Sequence, residues 1–271
     1  MAFNVNTFVP QKINRVIHTT NKGETNWYTN QVQDFSIKVD GQEQTKEDAN
    51  GNTIATITKG KTCSVSFATP VYDLNIIAAV NGTSKKIAGV DDVTSLVSPS
   101  FEEFVVTNNQ TTVVIANNAI ANTISVQTIT TDGSLKNTYK VGAATAKGVV
   151  TYTDSTKTIT FASSDLTAGD TVLVKYDYNA TEAVGFTASG NDFPNAGRMY
   201  VEVEGFDICD QSTKIYAYYR FPTAKMKSSY QTDIKLDATY NVEMDCAVDY
   251  CDKDKQFYSL VVPNVNADKA K

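Results

Sequence analysis

The chain has 271 residues, with 30 Asp+Glu against 24 Lys+Arg, a formal net charge of -6 and a single histidine. At roughly 100 to 200 residues per domain, this length suggests one large or two modest domains, enough to bury a core. Val, Ile and Thr number 80 and Leu only 7; branching at Cβ suits a pleated sheet and stiffens a helix, which argues against a helical bundle or an α/β nucleotide-binding fold.

The charge is unevenly placed. No acid precedes Glu24, whereas Lys12, Arg15 and Lys22 do, so the first 23 residues carry +3 and the remainder -9. An acidic body repels a phosphate backbone, which disfavours a sequence-reading nucleic-acid binder but allows proximity to DNA without adhesion. No apolar run approaches the roughly 20 residues of a membrane-spanning helix. The start MAFNVNTFVPQ lacks a charged stretch followed by an apolar one, so a soluble, non-exported product is expected. Four cysteines (Cys63, Cys209, Cys246, Cys251) are too few and too scattered for a disulfide scaffold and read as reduced thiols.

In chain order, residues 1–23 read as an extended arm followed by a short strand. The stretch WYTNQVQDFSIKV alternates over its second half, predicting a strand near residues 32–39. The polar run DGQEQTKEDANGN predicts a protruding loop over residues 40–52 before TIATITKGKTCSVSFA resumes alternation. TPVYDLNIIAAVNG predicts the one helix, with Thr69 as N-cap, Pro70 in the first turn, Gly82 at the far end, and Val71, Leu74 and Ala78 on one stripe beside Ile77. Between Ser98-Pro99-Ser100 and about Val184 the texture changes to short Thr/Val-rich runs with turns at Asp132-Gly133 and Ala168-Gly169-Asp170. This predicts an inserted all-β module at residues 101–184, immunoglobulin-like in spacing but without a Cys pair or core Trp. Longer strands are expected after Gly185, in RMYVEVEGFDI, TKIYAYYRFPTAKM, YQTDIKLDATYNVEMDCAV and KQFYSLVV, with Val242, Met244, Cys246 and Val248 on one side and Glu243, Asp245 and Ala247 on the other. The simplest organisation is a discontinuous β-domain, residues 1–100 and 185–271, interrupted by the module.

Little in the sequence points to catalysis. A single imidazole does not supply an acyl-transfer triad or the usual zinc sites, and His18 reads as an incidental surface or interface residue. Gly60-Lys61-Thr62 resembles the end of a phosphate loop, but Ala55 stands where its first Gly is required, so a strand with a Gly bulge is the better reading. Cys246 and Cys251 near Asp249 and Asp252 lack a second ligand pair, and Asp249, Asp252 and Asp254 lack calcium-loop spacing. Asn81, Asn109 and Asn179 begin N-x-T triplets that read as loop composition. No cofactor or metal is expected. Residues 230–254 hold seven acids against two bases, read either as a solvated sheet face or as a surface that something negatively charged passes.

The order of elements, an N-terminal arm, strands, the polar stretch 40–52, a strand leading into TPVYDL and a closing set of strands, resembles the tail tube proteins of long-tailed bacteriophages. NAGRMYVEVEGFDICDQSTKIYAYYRFPTAKMKSSYQTDIKLDATYNVEMDCAV is similar to that family's second half, and KTITF and AGDTVLVKYDY are similar to modules of phage structural proteins. The resemblance covers about 180 residues, leaving out residues 101–184. It implies an all-β fold with one short helix: a β-sandwich or half-barrel that assembles into stacked, hexameric rings in the virion tail, formed in the bacterial host cytoplasm. The implied partners are other copies, the terminator, tape-measure and sheath proteins of the tail, and genomic DNA that passes without specific binding. On this reading Glu202, Glu204, Glu243 and Asp245 face the lumen, while Lys12, Arg15, Asp40, Glu43, Lys46 and Glu47 bridge successive rings. The inserted module points outward. The alternatives are a capsid decoration or fibre-like protein and a baseplate carbohydrate-binding component.

Overall fold

The computed structural model describes residues 8–90, 92–143, 145–208, 210–231, 233–250 and 253–263. Most of the expected N-terminal arm, together with Cys209, Cys251 and Asp252, lies outside them. In chain order the elements are β1 (Val9–Thr19), β2 (Thr25–Thr29), β3 (Gln33–Glu47), β4 (Thr53–Thr69) and the helix α1 (Leu74–Val80). Next come β5 (Lys86–Ile87), β6 (Leu96–Val105), β7 (Thr112–Val114), β8 (Ser125–Ile129) and β9 (Leu135–Val141). They are followed by β10 (Val149–Thr153), β11 (Thr158–Thr160), β12 (Thr171–Ala180) and β13 (Val184–Gly185). The set ends with β14 (Ala196–Asp207), β15 (Asp210–Met226), β16 (Tyr240–Ala247) and β17 (Ser259–Val261). The fold is nearly all β, as the β-branched composition dictates. The chain separates into two compact units, residues 1–85 with 186–271, and residues 86–185.

In the first unit, alternation decides which side of each strand is buried. Met199, Val201 and Val203 of β14, Ala217 and Phe221 of β15, Val242, Met244 and Cys246 of β16, and Cys63, Val65 and Phe67 of β4 share one core. Full burial of each larger apolar side chain contributes roughly 1.5–3 kcal/mol. The path β2-β1-β14-β15-β16-β4-β3, with β17 added to β15, curls into a nearly closed half-barrel. Its curvature brings Trp27 of β2 within 5.9 Å of Phe67 of β4, although four strands separate them in the sheet. β1, expected as a short strand, is 11 residues long and pairs with both β14 and β2.

The helix begins later than the sequence suggests. Asp73 is the N-cap, its carboxylate accepting from Asn75 N at 2.8 Å, and Ile76 through Val80 are buried. Thr69 still ends β4, and its Oγ1 accepts from Val71 N at 3.3 Å in a local turn that Pro70 occupies. Val71 is consequently exposed and does not belong to the buried stripe. Gly82 does close the far end, at φ +71, where a Cβ would lie 2.5 Å from the Phe193 backbone.

The expected loop over residues 40–52 is instead mostly strand. β3 and β4 remain paired from Val39 opposite Cys63 out to Glu47 opposite Thr53, and only residues 48–52 form the turn. Asp48 Oδ1 accepts from Asn50 N (2.9 Å) and Asn52 N (2.8 Å), and Gly51 takes φ +83. The segment lacks apolar alternation because neither side of this ribbon meets the core; residues 38–62 are exposed apart from half-buried Asp48. Gly60 sits beside a register shift, in keeping with a bulged strand.

The second unit holds a seven-stranded sheet, β6-β12-β8-β9-β10-β11-β7, and a two-stranded pair, β13-β5. Val126, Val150, Ile159, Phe161, Val172, Val174 and Tyr176 form its core. Tyr139 OH donates to Asp165 O at 2.9 Å, and Tyr176 OH bonds the Glu102 carboxylate, so both phenols bury their rings without orphaning their hydroxyls. The Asp132-Gly133 and Gly169 turns stand where the sequence puts them, with φ +84 and +92 at the glycines. Ser98-Pro99-Ser100, read as a boundary, lies inside β6; Pro99 is tolerated because β6 is an edge strand with one neighbour, β12. Residues 86–100, assigned from sequence to the outer domain, therefore belong to this unit.

Candidate functional site

The side of the β1-β14-β15-β16 sheet opposite the core carries the chemistry. Glu202 and Glu204 alternate with buried Val201 and Val203, and Glu243 and Asp245 with buried Val242, Met244 and Cys246, so all four acids share that side. Antiparallel register then sets Lys12 opposite Glu204 and Arg15 opposite Glu202. Lys12 Nζ lies 3.7 Å and Lys214 Nζ 2.7 Å from the Glu204 carboxylate. Arg15 Nε lies 3.3 Å from Glu202, which also accepts from Asn14 Nδ2 at 3.0 Å. Farther along the sheet, Lys227 Nζ reaches Glu243 at 2.8 Å and Asp245 at 3.9 Å.

Two residue groups with separate expected roles thus meet in one network: the basic Lys12 and Arg15, and the acidic Glu202 and Glu204. Glu204 is only 4 % exposed and is bracketed by the Lys12 and Lys214 ammonium groups. The Lys214 ammonium holds its carboxyl below the usual range, and Glu204 in turn raises Lys214. Glu243 likewise raises Lys227. The side is therefore patterned with both signs, and exposed Tyr216 and Tyr218 stand opposite Glu204 and Glu202. Asp40, Glu43, Lys46 and Glu47 lie apart from this network, on the β3–β4 ribbon, where Asp40 pairs with Lys38 at 2.9 Å.

His18 is a core residue and not a surface one. It is 1 % exposed and stacks on Trp27 with ring centroids 5.5 Å apart and an interplanar angle of 10°. Its Nε2 lies 3.2 Å from Ala224 O, a carbonyl that can only accept, so Nε2 carries the proton and Nδ1 accepts from Asn26 Nδ2 at 3.3 Å. Burial pushes its pKa down. Cys63 and Cys246 are buried free thiols at directly opposed positions of β4 and β16, both with raised pKa from desolvation. Among the described residues, no three His, Cys, Asp or Glu side chains converge as a metal-ligand set.

One feature departs from the sequence reading altogether. YQTDIKLDATY was expected as strand, yet β16 begins only at Tyr240, and Ile234 and Leu236 are 88 % and 101 % exposed. Among the described residues, the alternating pattern has no neighbouring strand to bury it.

The profile of the YomU/Tube protein family matches residues 15–256, a span that takes in both units. No curated protein matches the chain. With the family profile covering most of its length, the chain belongs to the YomU/Tube protein family and is a phage tube-related structural protein.

Proposed function

We propose that this chain is the subunit of a phage tail tube, forming hexameric rings that stack into a hollow conduit for the genome. The observation that carries the reading is the β3–β4 ribbon. It extends well past the last buried residue, Cys63, and is exposed along both faces. A two-stranded ribbon alone in water is marginally stable at best, and a bare strand edge is a template for pairing. A ribbon that lies against a neighbouring ring satisfies both constraints, with Asp40, Glu43, Lys46 and Glu47 supplying polar contacts between rings.

Rings arise when one surface of a subunit meets a different surface of the next and the rotation closes. The solvent side of the sheet supports a lumen role: Glu202 and Glu204 keep Lys12, Arg15 and Lys214 engaged, so these bases are not free to release counterions from passing DNA. Residues 86–185 form a self-contained unit with its own core. In this reading they make an immunoglobulin-like decoration on the outside of the tube, beside the terminator, tape-measure and sheath proteins of the virion tail.

The test is electron microscopy of the purified chain beside a variant in which residues 41–61 are replaced by Asn-Gly. Residues 40 and 62 are cross-strand partners, so the short turn closes without strain. Wild-type rings and tubes are expected, with rings that no longer stack in the variant. A wild-type protein that stays monomeric at high concentration refutes the reading.

A further inference from the structure

The half-barrel has an open seam. β2 covers only Val16–Thr19 of β1, leaving the edge of β1 from Val9 to Ile13 bare among the described residues, and β3 has β4 as its one neighbour. Between these two edges lies a groove of about 530 Å³ whose walls include Ile13, Phe35, Ile37, Val203, Tyr219 and Leu260. It therefore has an apolar floor flanked by strand edges with unused backbone donors and acceptors, which is the geometry that accepts an added strand.

The same chain carries a segment of matching chemistry. In residues 228–239, Tyr230, Ile234, Leu236 and Ala238 recur at even positions, as in a strand with one apolar side. The backbone pairing of the described residues there amounts to a turn bond, Ala238 N to Lys235 O at 3.2 Å. Ile234 and Leu236 stand fully in solvent. A segment with strand patterning and no sheet is a local choice at odds with its surroundings in the single subunit, and such conflicts concentrate at functional sites.

The segment cannot fill its own groove. Tyr219 in the groove lies seven residues before Met226 along β15, about 23 Å at strand rise. Tyr230 is held by Asn81 Nδ2, which donates to its hydroxyl at 2.9 Å, and Tyr240 is fixed in β16. Ile234 and Leu236 are each four residues from one of these anchors, a reach of about 13 Å.

We infer that residues 233–238 of one subunit insert as a strand into the β1–β3 seam of the next, with Ile234 and Leu236 seated on the groove floor. This deepens the tube reading and rests on it, naming the contact that joins subunits within a ring. Donor and acceptor are different surfaces of one chain, so the contact is head-to-tail and every subunit both gives and receives. A single inserted strand buries less than the roughly 800 Å² per partner of a typical stable interface, so closure of the ring, not the isolated pair, holds the assembly.

The experiment compares wild type, the double variant I234D/L236D, and L236C/L260C, all at exposed or half-exposed positions that leave the core untouched. Mass photometry should show rings for wild type and monomers for I234D/L236D, with Trp27 fluorescence unchanged. Oxidised L236C/L260C should run as an inter-chain ladder on non-reducing gels, absent from either single cysteine variant. If wild type forms rings and I234D/L236D does so equally, or the ladder is missing, the strand-insertion inference is overturned while the tube reading stands. If deletion of the first seven residues abolishes rings that I234D/L236D retains, another segment fills the seam and the inference is again overturned. A wild-type protein monomeric at every concentration removes both.

Discussion

Lowering the pH from 7 to 5 should destabilise the first unit through His18 alone. In the folded state the ring is neutral: Nε2 donates to Ala224 O, Nδ1 accepts from Asn26, and burial against Trp27 lowers the pKa. Protonation would place a second donor against the Asn26 amide and a charge in an apolar site. The unfolded chain binds the proton near pH 6.5 and the folded chain resists it, so stability is complete above that pH and falls below it until the folded pKa is reached. One proton is worth about 1.4 kcal/mol per pH unit, so the loss between pH 7 and pH 5 approaches about 2 kcal/mol for a ring that stays neutral throughout. The carboxyls of Asp48, Asp132 and Glu204 are held below their ordinary values, so their contribution is nearly complete above roughly pH 5 and is lost as pH falls from there toward the lowered folded values, mostly outside the window from 7 to 5. The chain has one histidine and one tryptophan, which makes the assay direct. The single imidazole resonance should not titrate at its ordinary position, and urea midpoints read from Trp27 fluorescence should fall with pH in wild type and much less in His18→Gln. An imidazole midpoint at 6.5 in the folded protein, or equal pH sensitivity in both proteins, would refute the reasoning.

Gly197→Ala should cost about 3 kcal/mol or more in urea unfolding, because a Cβ there lies 2.0 Å from Thr19 O and 2.8 Å from the His18 ring; a variant of wild-type stability would show that this approach is looser. Cys63 and Cys246 should resist an aromatic disulfide reagent in native protein and react only as fast as the chain opens, since both are buried and desolvation disfavours their thiolates. Peptide mass mapping separates them from Cys209 and Cys251, and rapid native labelling would contradict the packing. Phe161→Ala should destabilise residues 86–185 by about 3–5 kcal/mol, seen by hydrogen exchange at Val126, Val150 and Val172, with unaltered protection there as the contrary result. The variant E202Q/E204Q/E243Q/D245N, which removes four negative charges and frees Lys12, Arg15, Lys214 and Lys227, should retain duplex DNA on a column at low salt and release it as salt rises. Wild type should flow through, and identical behaviour of the two would count against a charge-balanced lumen.

How much was legible depended on how each residue reports its surroundings. In β16 every second residue from Val242 to Cys246 is buried, so alternation alone gave both the strand and its sides. Asp132-Gly133 and Gly169 demand positive φ and announced their turns locally. β9 is not legible in the sequence because Tyr139 is its one buried residue, which leaves no period to read. The outer part of β3, residues 40–47, reads as loop for the same reason, since its polar residues have no core to face. Thr69 reads as the helix cap from its place before Pro70, but in the fold it is still paired with Tyr240 of β16, so the helix starts later and the cap falls to Asp73. Of the candidate site, alternation sets the four acids on the side of their strands away from the core, but their partners could not be named: Lys12 is far from Glu204 in sequence and beside it only through the β1–β14 register.

The amino-acid order by itself determined the β class, the internal periodicity of the core strands and the tight turns, because these follow from short-range sterics and from the one-sided burial of a pleated strand. Tertiary structure alone decided the ion-pair network, the buried neutral His18, the boundary at Lys86, the exposure of Ile234 and Leu236 and the open seam of the half-barrel. Each of these depends on which distant strands become neighbours, and strand pairing is fixed by the closure of the whole sheet and not by any segment within it.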